Sequence, residues 1–366
     1  MKRQNNLFES IIDYQNINEA WLKSIKGKRK STGVLLFSRN VSENLKTIRG
    51  RLMSGSPDWG NYRSFVVTDP KKRLISAAPF EQRIMHHAIM NILEPVLERH
   101  LIFHSYACRK GKGMHAAVKY AFRLCKARRY FIKLDVRKYF DSIDHETLKR
   151  QLYHLIKDDR TISLLYGIID SYHTLSGTSI QPGKGLPIGN LTSQFFANLY
   201  LSCLDHYILE HLKPDGYIRY MDDFVLWHDD KQKLQNMHSS LKSYAEKVLR
   251  LELKPPVIDI TEQGLPFLGF LIKSSGIFLL RKSKRRMSTR VKLIESDLAL
   301  GIISEELAAL RAVSVNAAVL LARCLSFRIK LWNGSGFGHE PRHTRRQLEQ
   351  QCFQRHSCLS QQQQPV

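Results

Sequence analysis

The fold is decided by the stretch Tyr217-Ile218-Arg219-Tyr220-Met221-Asp222-Asp223-Phe224-Val225-Leu226-Trp227. Two β-prone runs flank a short turn in it, and this pattern predicts a β-hairpin. The turn carries two adjacent acids, Asp222 and Asp223. A tight turn can direct one carboxylate towards a bound cation while the other supports it, although an Asp-Asp pair on its own is more often ordinary solvated turn chemistry.

A third acid comes from another part of the chain. The short apolar run from Phe131 to Val136 is typical of a strand, and Asp135 lies near its end. Carboxylates from such separate elements are the ligands that Mg²⁺ prefers. The sequence therefore predicts a magnesium site. Taken alone, Asp135 is equally compatible with a strand-end or helix-capping acid, which is the role we predict for Asp141 and Asp144.

Four motifs in order carry a resemblance to a known family. Tyr220–Asp223 resembles the YMDD box of reverse transcriptases, and Leu134–Phe140 resembles their first palm motif. Leu186–Gln194 is similar to the next motif, and Phe267–Phe270 to the primer-grip hairpin. Order and separation agree over roughly residues 60 to 330. A YxDD tetrapeptide is a weak signal, whereas four motifs in order make coincidence improbable.

The resemblance implies RNA-templated DNA synthesis with two Mg²⁺ ions, Mn²⁺ being an alternative ion. The implied catalytic residues are Asp135, Asp222 and Asp223, and the implied metal set adds Val136. The implied nucleotide-binding residues are Lys72, Arg73, Phe140, Ile188, Gly189 and Lys254. Phe140, rather than Tyr139, is the implied steric gate against a ribose 2′ hydroxyl. Blander alternatives stay open: a solvated charge run at residues 71–73, a core Phe140 and an exposed Lys254.

Two further sets follow from the resemblance and from charge. The primer-grip residues that it implies are Phe267, Leu268 and Gly269. The predicted nucleic-acid-binding cations before the last helices are Arg281, Lys282, Lys284, Arg285, Arg286 and Arg290. These cations suit phosphate contacts to a template–primer duplex, so binding is expected to weaken strongly with salt.

Composition restricts the class of partner. The 366 residues contain 57 Lys plus Arg against 33 Asp plus Glu, and the formal charge of +24 favours a polyanion. No run of 18 apolar residues and no secretory leader occurs, so we expect a cytoplasmic, bacterial or phage-encoded protein with no membrane partner. Six cysteines without a CxxC pair suit neither structural zinc nor a disulfide framework.

The predicted fold class is α+β, a right-hand polymerase with fingers, an antiparallel palm sheet and a small helical thumb. The predicted domains are an N-terminal helical extension at 1–60, fingers and palm at 61–280, a basic helical thumb at 281–332 and a disordered polar tail at 333–366. Within them, the apolar spacing predicts one helix from Leu7 to Ile25 and one from Leu191 to Leu212.

Two departures indicate a subfamily. Most reverse transcriptases have Gln-Gly and later Ser-Pro in the second palm motif, where this chain has Ile188-Gly189 and Ser193-Gln194. With Tyr106–Gly113, these residues resemble the reverse transcriptases of diversity-generating retroelements, which copy a template-repeat RNA with errors opposite adenine. A branched aliphatic at 188 cannot hydrogen-bond around the nascent pair, so Ile188 and Gln194 are the predicted fidelity residues.

That resemblance implies template RNA, a primer or cDNA, deoxynucleoside triphosphates and a small basic accessory protein oligomer as partners. Alternatives are a retron, phage-defence or group II intron reverse transcriptase, and a non-catalytic RNA-binding scaffold. The polar tail suggests one more hypothesis. Codons for Thr344–Gln351 and Gln361–Gln364 can be chosen so that the shifted frame spells Arg-Gly-Gly-Ser-Trp and asparagine runs, as in a template repeat overlapping the gene's end.

Overall fold

The computed structural model describes residues 3–55, 57–68, 72–176 and 179–335. The chain forms two compact units. The first runs to Ala117 and resumes over Arg128–Asp259, and the second joins Val118–Ala127 to the chain from Ile260 onward. This division comes before the predicted thumb boundary at 281. The predicted tail and the proposed gene overlap lie almost entirely outside the described residues.

The helices follow the sequence pattern in part. They are α1 (Leu7–Ile11), α2 (Tyr14–Ile25), α3 (Thr32–Phe37), α4 (Val41–Met53), α5 (Phe80–Glu98), α6 (Met114–Ala127), α7 (Tyr139–Ser142), α8 (His145–Leu155), α9 (Asp159–Asp170), α10 (Leu191–Tyr200), α11 (Ser202–Tyr207), α12 (Lys231–Lys247), α13 (Arg281–Ala299), α14 (Glu305–Ala317) and α15 (Leu325–Asn333). Within the described ranges, none combines the length and hydropathy that crossing a lipid bilayer requires.

Both long helices predicted from apolar spacing are divided. The helix predicted from Leu7 onward restarts after Asp13, whose carboxylate accepts hydrogen bonds from the amides of Gln15 and Asn16 at 2.9 and 3.2 Å and caps α2. The second predicted helix breaks at residue 201. There the Ser202 hydroxyl donates to the Leu199 carbonyl at 2.6 Å, a local bond that bends helices, and a π-helical turn ends the run.

The helix caps predicted in the first palm motif differ from each other. Asp144 caps α8, because its carboxylate accepts from the Thr147 amide at 2.9 Å. Asp141 is not a cap. It lies inside the single turn α7, which begins after Lys138.

Within the described residues, the strands pair in four sheets. They are β1 (Arg63–Val67), β2 (Arg73–Ala77), β3 (Tyr130–Asp135), β4 (Thr174–Ser176), β5 (Ser179–Gln181), β6 (Gly216–Tyr220), β7 (Asp223–His228), β8 (Val257–Ile260), β9 (Leu265–Phe267), β10 (Phe270–Lys273) and β11 (Gly276–Leu279). The largest sheet has the order β6-β7-β3-β8, in which β7 is antiparallel to both β6 and β3. The predicted acidic hairpin is therefore β6–β7, and it lies beside the strand that ends in Asp135.

The core explains why β7 can carry an uninterrupted apolar run. Phe224–Trp227 are fully buried, as expected for a strand covered on both faces. Side chains of α8, α10 and α12 pack with β3 and β7 in one apolar cluster that includes Leu148, Phe196 and Leu241. Each such side chain contributes about 1.5–3 kcal/mol relative to exposure. This cluster holds the acidic end of the sheet in place from behind.

The predicted fingers hairpin is present as β1 and β2, with Val67 opposite Arg73. Its second strand is tied to the loop before α10, because the Ser76 amide donates to the Ile188 carbonyl at 2.9 Å and the Ala78 amide to Asn190 Oδ1 at 3.3 Å. The fingers strand and the second palm motif are thus joined through backbone contacts.

The second unit combines a small sheet with helices. Its three strands have the order β11-β10-β9, and the turn between β9 and β10 is the predicted primer-grip hairpin. Ile294, Ile303 and Ala308 form an apolar cluster between α13 and α14. Trp332 is fully buried, and its indole nitrogen donates to Asn316 Oδ1 at 3.4 Å. The segment predicted to be helical up to Trp332 contains the three helices α13, α14 and α15.

Candidate active site

The register of the palm sheet brings two predicted catalytic acids together. Asp135, the last residue of β3, lies directly opposite Asp223, the first residue of β7. Residues directly opposite in an antiparallel pair project their side chains to the same face, with Cβ atoms about 4.5–5.5 Å apart. Asp223 also pairs with Tyr220 across the hairpin, which leaves Met221 and Asp222 as its two-residue turn. Three acidic residues therefore lie at one end of the sheet.

The turn has an unusual backbone. Met221 has a φ of 56°, in the left-handed region that two-residue hairpin loops require at their first position and that glycine normally fills. A non-glycine residue there costs on the order of 1 kcal/mol. The turn is held to β3, because the Val136 amide donates to the Asp222 carbonyl at 3.3 Å. The surrounding structure thus compensates for strain at the residue before Asp222.

Burial and mutual repulsion change the protonation of this cluster. Burial, with a smaller contribution from the charges of Asp135 and Asp222, raises the pKa of Asp223 to about 7 against the opposing effect of Lys133. Burial and then Asp135 also raise the pKa of Asp222. Lys133 Nζ lies 3.1 Å from Asp223 Oδ2. One lysine therefore does not compensate the negative charge of the cluster.

Lys254 joins the cluster through a separate segment. An isolated bridge pairs Val136 with Leu253, and the Lys254 amide donates to the Asp135 carbonyl at 2.9 Å. This places the Lys254 ammonium against Asp135, to which it donates a hydrogen bond. The predicted proton donor is thus in direct contact with a predicted metal ligand, instead of being a remote exposed lysine.

The donor set fits a divalent cation. Asp223 Oδ1 is buried and has no hydrogen-bond partner, and burial, together with the charge of the neighbouring carboxylates, raises the pKa of Asp222 and of Asp223. Hard carboxylate oxygens are what Mg²⁺ prefers. Over the ranges that the structure describes, no group of three His, Cys, Asp or Glu side chains is already placed to hold a metal ion. Asp135, Asp222 and Asp223 would hold the ions; a contribution of Val136 stays a prediction.

The predicted nucleotide-binding residues of the fingers and second motif lie in the same compact unit. Arg73 begins β2, and its charge lowers the pKa of Asp222, which places it within electrostatic reach of the catalytic turn. Lys72 is exposed beside it. Gly189 has a φ of 129°, and a Cβ there would lie 3.0 Å from Ile75 Cγ2. Only glycine fits this close approach of loop and fingers strand without strain.

The remaining predicted specificity residues have distinct surroundings. Tyr139 is buried and its hydroxyl donates to the Ala197 carbonyl, so it is a core residue and unsuited as the gate. Phe140 is half-buried beside it. Gln194 is exposed, and its Oε1 accepts a hydrogen bond from Cys108 Sγ at 3.4 Å. The gate and fidelity roles themselves stay predictions.

In the second unit, the primer-grip turn and the basic helix have defined geometry. Leu268 and Gly269 have φ values of 49° and 87°, and the Ser283 hydroxyl donates to the Gly269 carbonyl at 2.6 Å. Phe267 is buried beneath this turn. A groove of about 470 Å³ is lined by Arg281, Lys284, Arg285, Ser288, Thr289, Lys292 and Phe327. Lys282 is exposed, Arg286 is partly buried and Arg290 is exposed.

Two charged residues near the site are absent from the predicted set. Lys133 contacts Asp223, and Arg219 lies fully buried in β6. Both occur inside apolar β-prone runs. A charged side chain in such a run is almost never buried unless it is paired, and this is the signal that could have identified them.

The geometry defines a class of protein. An antiparallel sheet that carries three carboxylates at a hairpin end, with helices packed behind it, is the palm of a right-hand polymerase. The chain belongs to the reverse transcriptase (RNA-dependent DNA polymerase) family, which matches residues 68–272. The matched region contains Asp135, Asp222, Asp223 and Lys254.

Similarity to known proteins extends beyond that region. Protein YkfC of Escherichia coli strain K12 is 24% identical over 328 residues, covering 78% of this chain and 84% of YkfC. The group II intron-encoded protein LtrA of Lactococcus lactis subsp. cremoris is 23% identical over 351 residues, covering 77% of this chain and 58% of LtrA. Apo telomerase from Candida tropicalis has a TM-score of 0.49 at 12% identity, covering 63% of this chain and 48% of the telomerase chain. The chain thus spans about half the length of the last two.

Proposed function

We propose that this chain is an RNA-directed DNA polymerase that extends a primer along an RNA template. The observation that carries the proposal is the pairing of Asp135 with Asp223 across β3 and β7, with Asp222 at the adjoining turn. Membership of the reverse transcriptase family supports it. The excess of cations suits a nucleic-acid substrate.

In the proposed reaction, the primer 3′ hydroxyl gives up its proton to water, its oxygen bonds to the α-phosphorus of a deoxynucleoside triphosphate, and the bond from that phosphorus to pyrophosphate breaks. When bound, two Mg²⁺ ions would supply charge stabilisation for this exchange. Asp135, Asp222 and Asp223 would hold these ions. Lys254, in contact with Asp135, is placed to donate a proton to the departing pyrophosphate. Lys72 and Arg73 would neutralise the triphosphate.

Primer extension tests this proposal. The wild-type chain is expected to incorporate deoxynucleotides on an RNA template with Mg²⁺, and the double variant Asp222→Asn, Asp223→Asn is expected to incorporate none above background. Glu246→Gln is the matched control, because Glu246 is an exposed acid with one weak ion pair at 4.0 Å. Equal incorporation by the double variant and the wild type would refute the site and favour a non-catalytic RNA-binding scaffold.

We further propose that the enzyme copies a template-repeat RNA and makes errors opposite adenine, as in a diversity-generating retroelement. The residues that support this are Ile188 and Gln194 in place of the family's usual Gln and Pro. Ile188 is partly buried and bonded through its carbonyl to Ser76 on β2, so an apolar side chain stands where a polar one is usual. Ile188 lacks the side-chain amide of glutamine, so the surroundings of the nascent base pair contain one hydrogen-bonding group fewer.

An intron-type enzyme is the second candidate, because similarity to the group II intron-encoded LtrA covers 77% of this chain. The neighbouring DNA separates the two. A template repeat, a variable repeat and a gene for a small basic accessory protein would support the retroelement, whereas flanking intron sequence would support the alternative. The hypothesis that the codons of residues 344–364 overlap a template repeat is wrong if that DNA contains no AAC runs in the shifted reading frame. Template RNA, cDNA and accessory protein oligomer are proposed partners.

A further inference from the structure

A fully buried ion pair lies directly behind the catalytic turn. Arg219 of β6 and Asp205 of α11 both have no exposed side-chain surface. Arg219 Nε donates to Asp205 Oδ1 at 2.7 Å, and a terminal nitrogen donates to Asp205 Oδ2 at 2.6 Å. The Tyr217 hydroxyl donates to the same carboxylate at 2.6 Å. This two-point pairing sets the guanidinium plane in one orientation.

The other donors of that guanidinium reach the turn and the neighbouring helix. One terminal nitrogen donates to the Met221 carbonyl at 3.2 Å and to Asn198 Oδ1 at 3.1 Å. The second also donates to the Asn198 carbonyl at 3.2 Å. An arginine has five N–H donors, and these bonds occupy all of them. The Met221 carbonyl belongs to the left-handed residue that precedes Asp222.

The backbone of the same residues extends the network to the loop before α6. The Arg219 amide donates to the His104 carbonyl, and the Tyr106 amide donates to the Arg219 carbonyl, both at 2.9 Å. Asn198 Nδ2 donates to the Ala107 carbonyl at 2.8 Å. Helix α10, this loop and the catalytic turn therefore share one set of hydrogen bonds.

Stability alone does not account for this arrangement. Taking both charges out of water is costly, and replacing a buried ion pair by apolar side chains of similar volume is often neutral or stabilising. An apolar replacement can fill the same space. It cannot donate to the Met221 carbonyl, and it therefore leaves the left-handed turn without that support.

We propose that Arg219, oriented by Asp205, is a positioning residue that holds the Met221–Asp222 turn and so sets Asp222 relative to Asp135 and Asp223. This inference rests on the proposed polymerase function. Arg219 is buried behind the turn, so it acts through the backbone that carries Asp222. A displacement of about 1 Å in a catalytic group can reduce a rate on the order of 100-fold.

The test compares a charge-free replacement with the wild type. The triple variant Asp205→Leu, Arg219→Met, Tyr217→Phe removes the ion pair. It also removes the Tyr217 hydroxyl, because that hydroxyl would no longer have the Asp205 carboxylate as its acceptor. We expect the folded triple variant to keep its Kd for template–primer and its KM for deoxynucleotide within about threefold, and to lose kcat on the order of 100-fold. Wild-type kcat in the folded triple variant would overturn the proposal.

Arg219→Lys covers the case in which the triple variant does not fold. Lysine keeps the charge beside Asp205 but has no planar fork that reaches Asp205 and Met221 together, so kcat should still fall at least tenfold in folded protein. Ile48→Ala, which truncates a buried side chain in the separate N-terminal helical cluster, controls for lost stability. Suppose that Ile48→Ala lowers the melting temperature as much as Arg219→Lys does. If it then also lowers kcat as much as Arg219→Lys, Arg219 has no positioning role.

Manganese binding gives a readout that does not depend on activity. In a titration, electron paramagnetic resonance measures the free Mn²⁺ and so gives the Kd of the protein for the ion. The wild-type protein should bind Mn²⁺, and the folded triple variant should bind it at least tenfold more weakly. Equal affinities in the two proteins would contradict the proposal. Wild-type protein that binds Mn²⁺ but extends no primer would reject the proposed polymerase function and leave the claim about the turn to stand on the binding data.

Discussion

Asp135 and Asp223 lie directly opposite each other on neighbouring antiparallel strands, and one oxygen of Asp223 is buried without a hydrogen-bond partner. The two carboxylates lie close together and are partly removed from water, so their negative charges repel each other. Cations reduce that repulsion, and the protein supplies two of its own, Lys133 and Lys254.

Metal-free protein should become less stable as the pH rises. The pKa of Asp223 is raised to about 7 in the folded state, against about 3.9 in an unfolded chain, so the folded state retains a proton that the unfolded state loses. Stability from this group is full below about pH 4 and is lost as the pH passes 7. The wild type should lose roughly 2–4 kcal/mol of its free energy of unfolding in this way, and Asp223→Asn should not show this loss.

Denaturant unfolding in EDTA at pH 5 and pH 8 measures this effect. The wild type should lose more stability between the two values than Asp223→Asn, and Mg²⁺ at pH 8 should restore the wild type but not the variant. A pH dependence that is identical in the two proteins would contradict the raised pKa.

Removing the Lys254 ammonium should slow the chemistry without weakening the metal site. Lys254→Met deletes the proposed proton donor, a contribution that is typically about 100-fold or more in kcat. It also removes the cation that occupies Asp135, so the Mg²⁺ concentration for half-maximal activity should stay the same or fall. Single-nucleotide incorporation over a Mg²⁺ series measures both, with the exposed Lys242→Met as control. A rise in the Mg²⁺ requirement would indicate a structural role instead.

Fidelity opposite adenine should improve when a polar side chain returns to position 188. Ile188→Gln, or Ile188→Asn, restores a group that can hydrogen-bond around the nascent pair, and we expect several-fold fewer errors opposite template adenine. Sequencing of cDNA from a defined RNA template provides the measurement. Ile188→Leu keeps an aliphatic side chain and should keep the error rate. An unchanged error rate in Ile188→Gln and Ile188→Asn would dismiss the proposed role of Ile188.

A side chain at residue 189 should disturb the junction of fingers and palm. Gly189→Ala would place a Cβ 3.0 Å from Ile75 Cγ2 and 3.4 Å from the Ser76 carbonyl oxygen, at a φ of 129° that alanine rarely adopts. We expect a loss of about 1–3 kcal/mol and a raised KM for deoxynucleotide. Thermal unfolding and steady-state kinetics test this. Gly50→Ala, which has no atom within 4 Å of its added Cβ, is the matched control.

Binding of template–primer duplex should depend on the basic groove of α13. Lys284→Ala and Arg285→Ala each remove a cation that lines it, and each should lower the slope of log K against log salt by about 1. Fluorescence anisotropy between 50 and 200 mM salt gives the slopes. Lys242→Met, on α12 of the other compact unit, should leave the slope unchanged. Identical slopes for all three would show that the groove does not contact phosphate.

Part of the site could be predicted from the sequence, because a hairpin and its turn depend on residues that are neighbours in the chain. The hairpin follows from two β-prone runs around Met221–Asp223, and the resemblance to reverse transcriptases implied roles for Lys254 and Gly189. Helix limits were less predictable. Asp13 and Ser202 divide predicted helices through hydrogen bonds between a side chain and nearby backbone, which apolar periodicity does not register.

By itself, the sequence determined the class of fold through four motifs in order, and it predicted two acids at a hairpin turn and a third at the end of an apolar strand, because strand propensity and turn chemistry act over a few residues. Net charge is a property of the whole composition, and it predicted a polyanionic partner. The tertiary structure alone decided which residues meet. The register of β3 against β7 places Asp135 opposite Asp223, and the Val136–Leu253 bridge brings Lys254 to Asp135. Pairing between segments far apart in the chain depends on how the whole core packs, and so does the burial of Arg219 against Asp205 behind the turn.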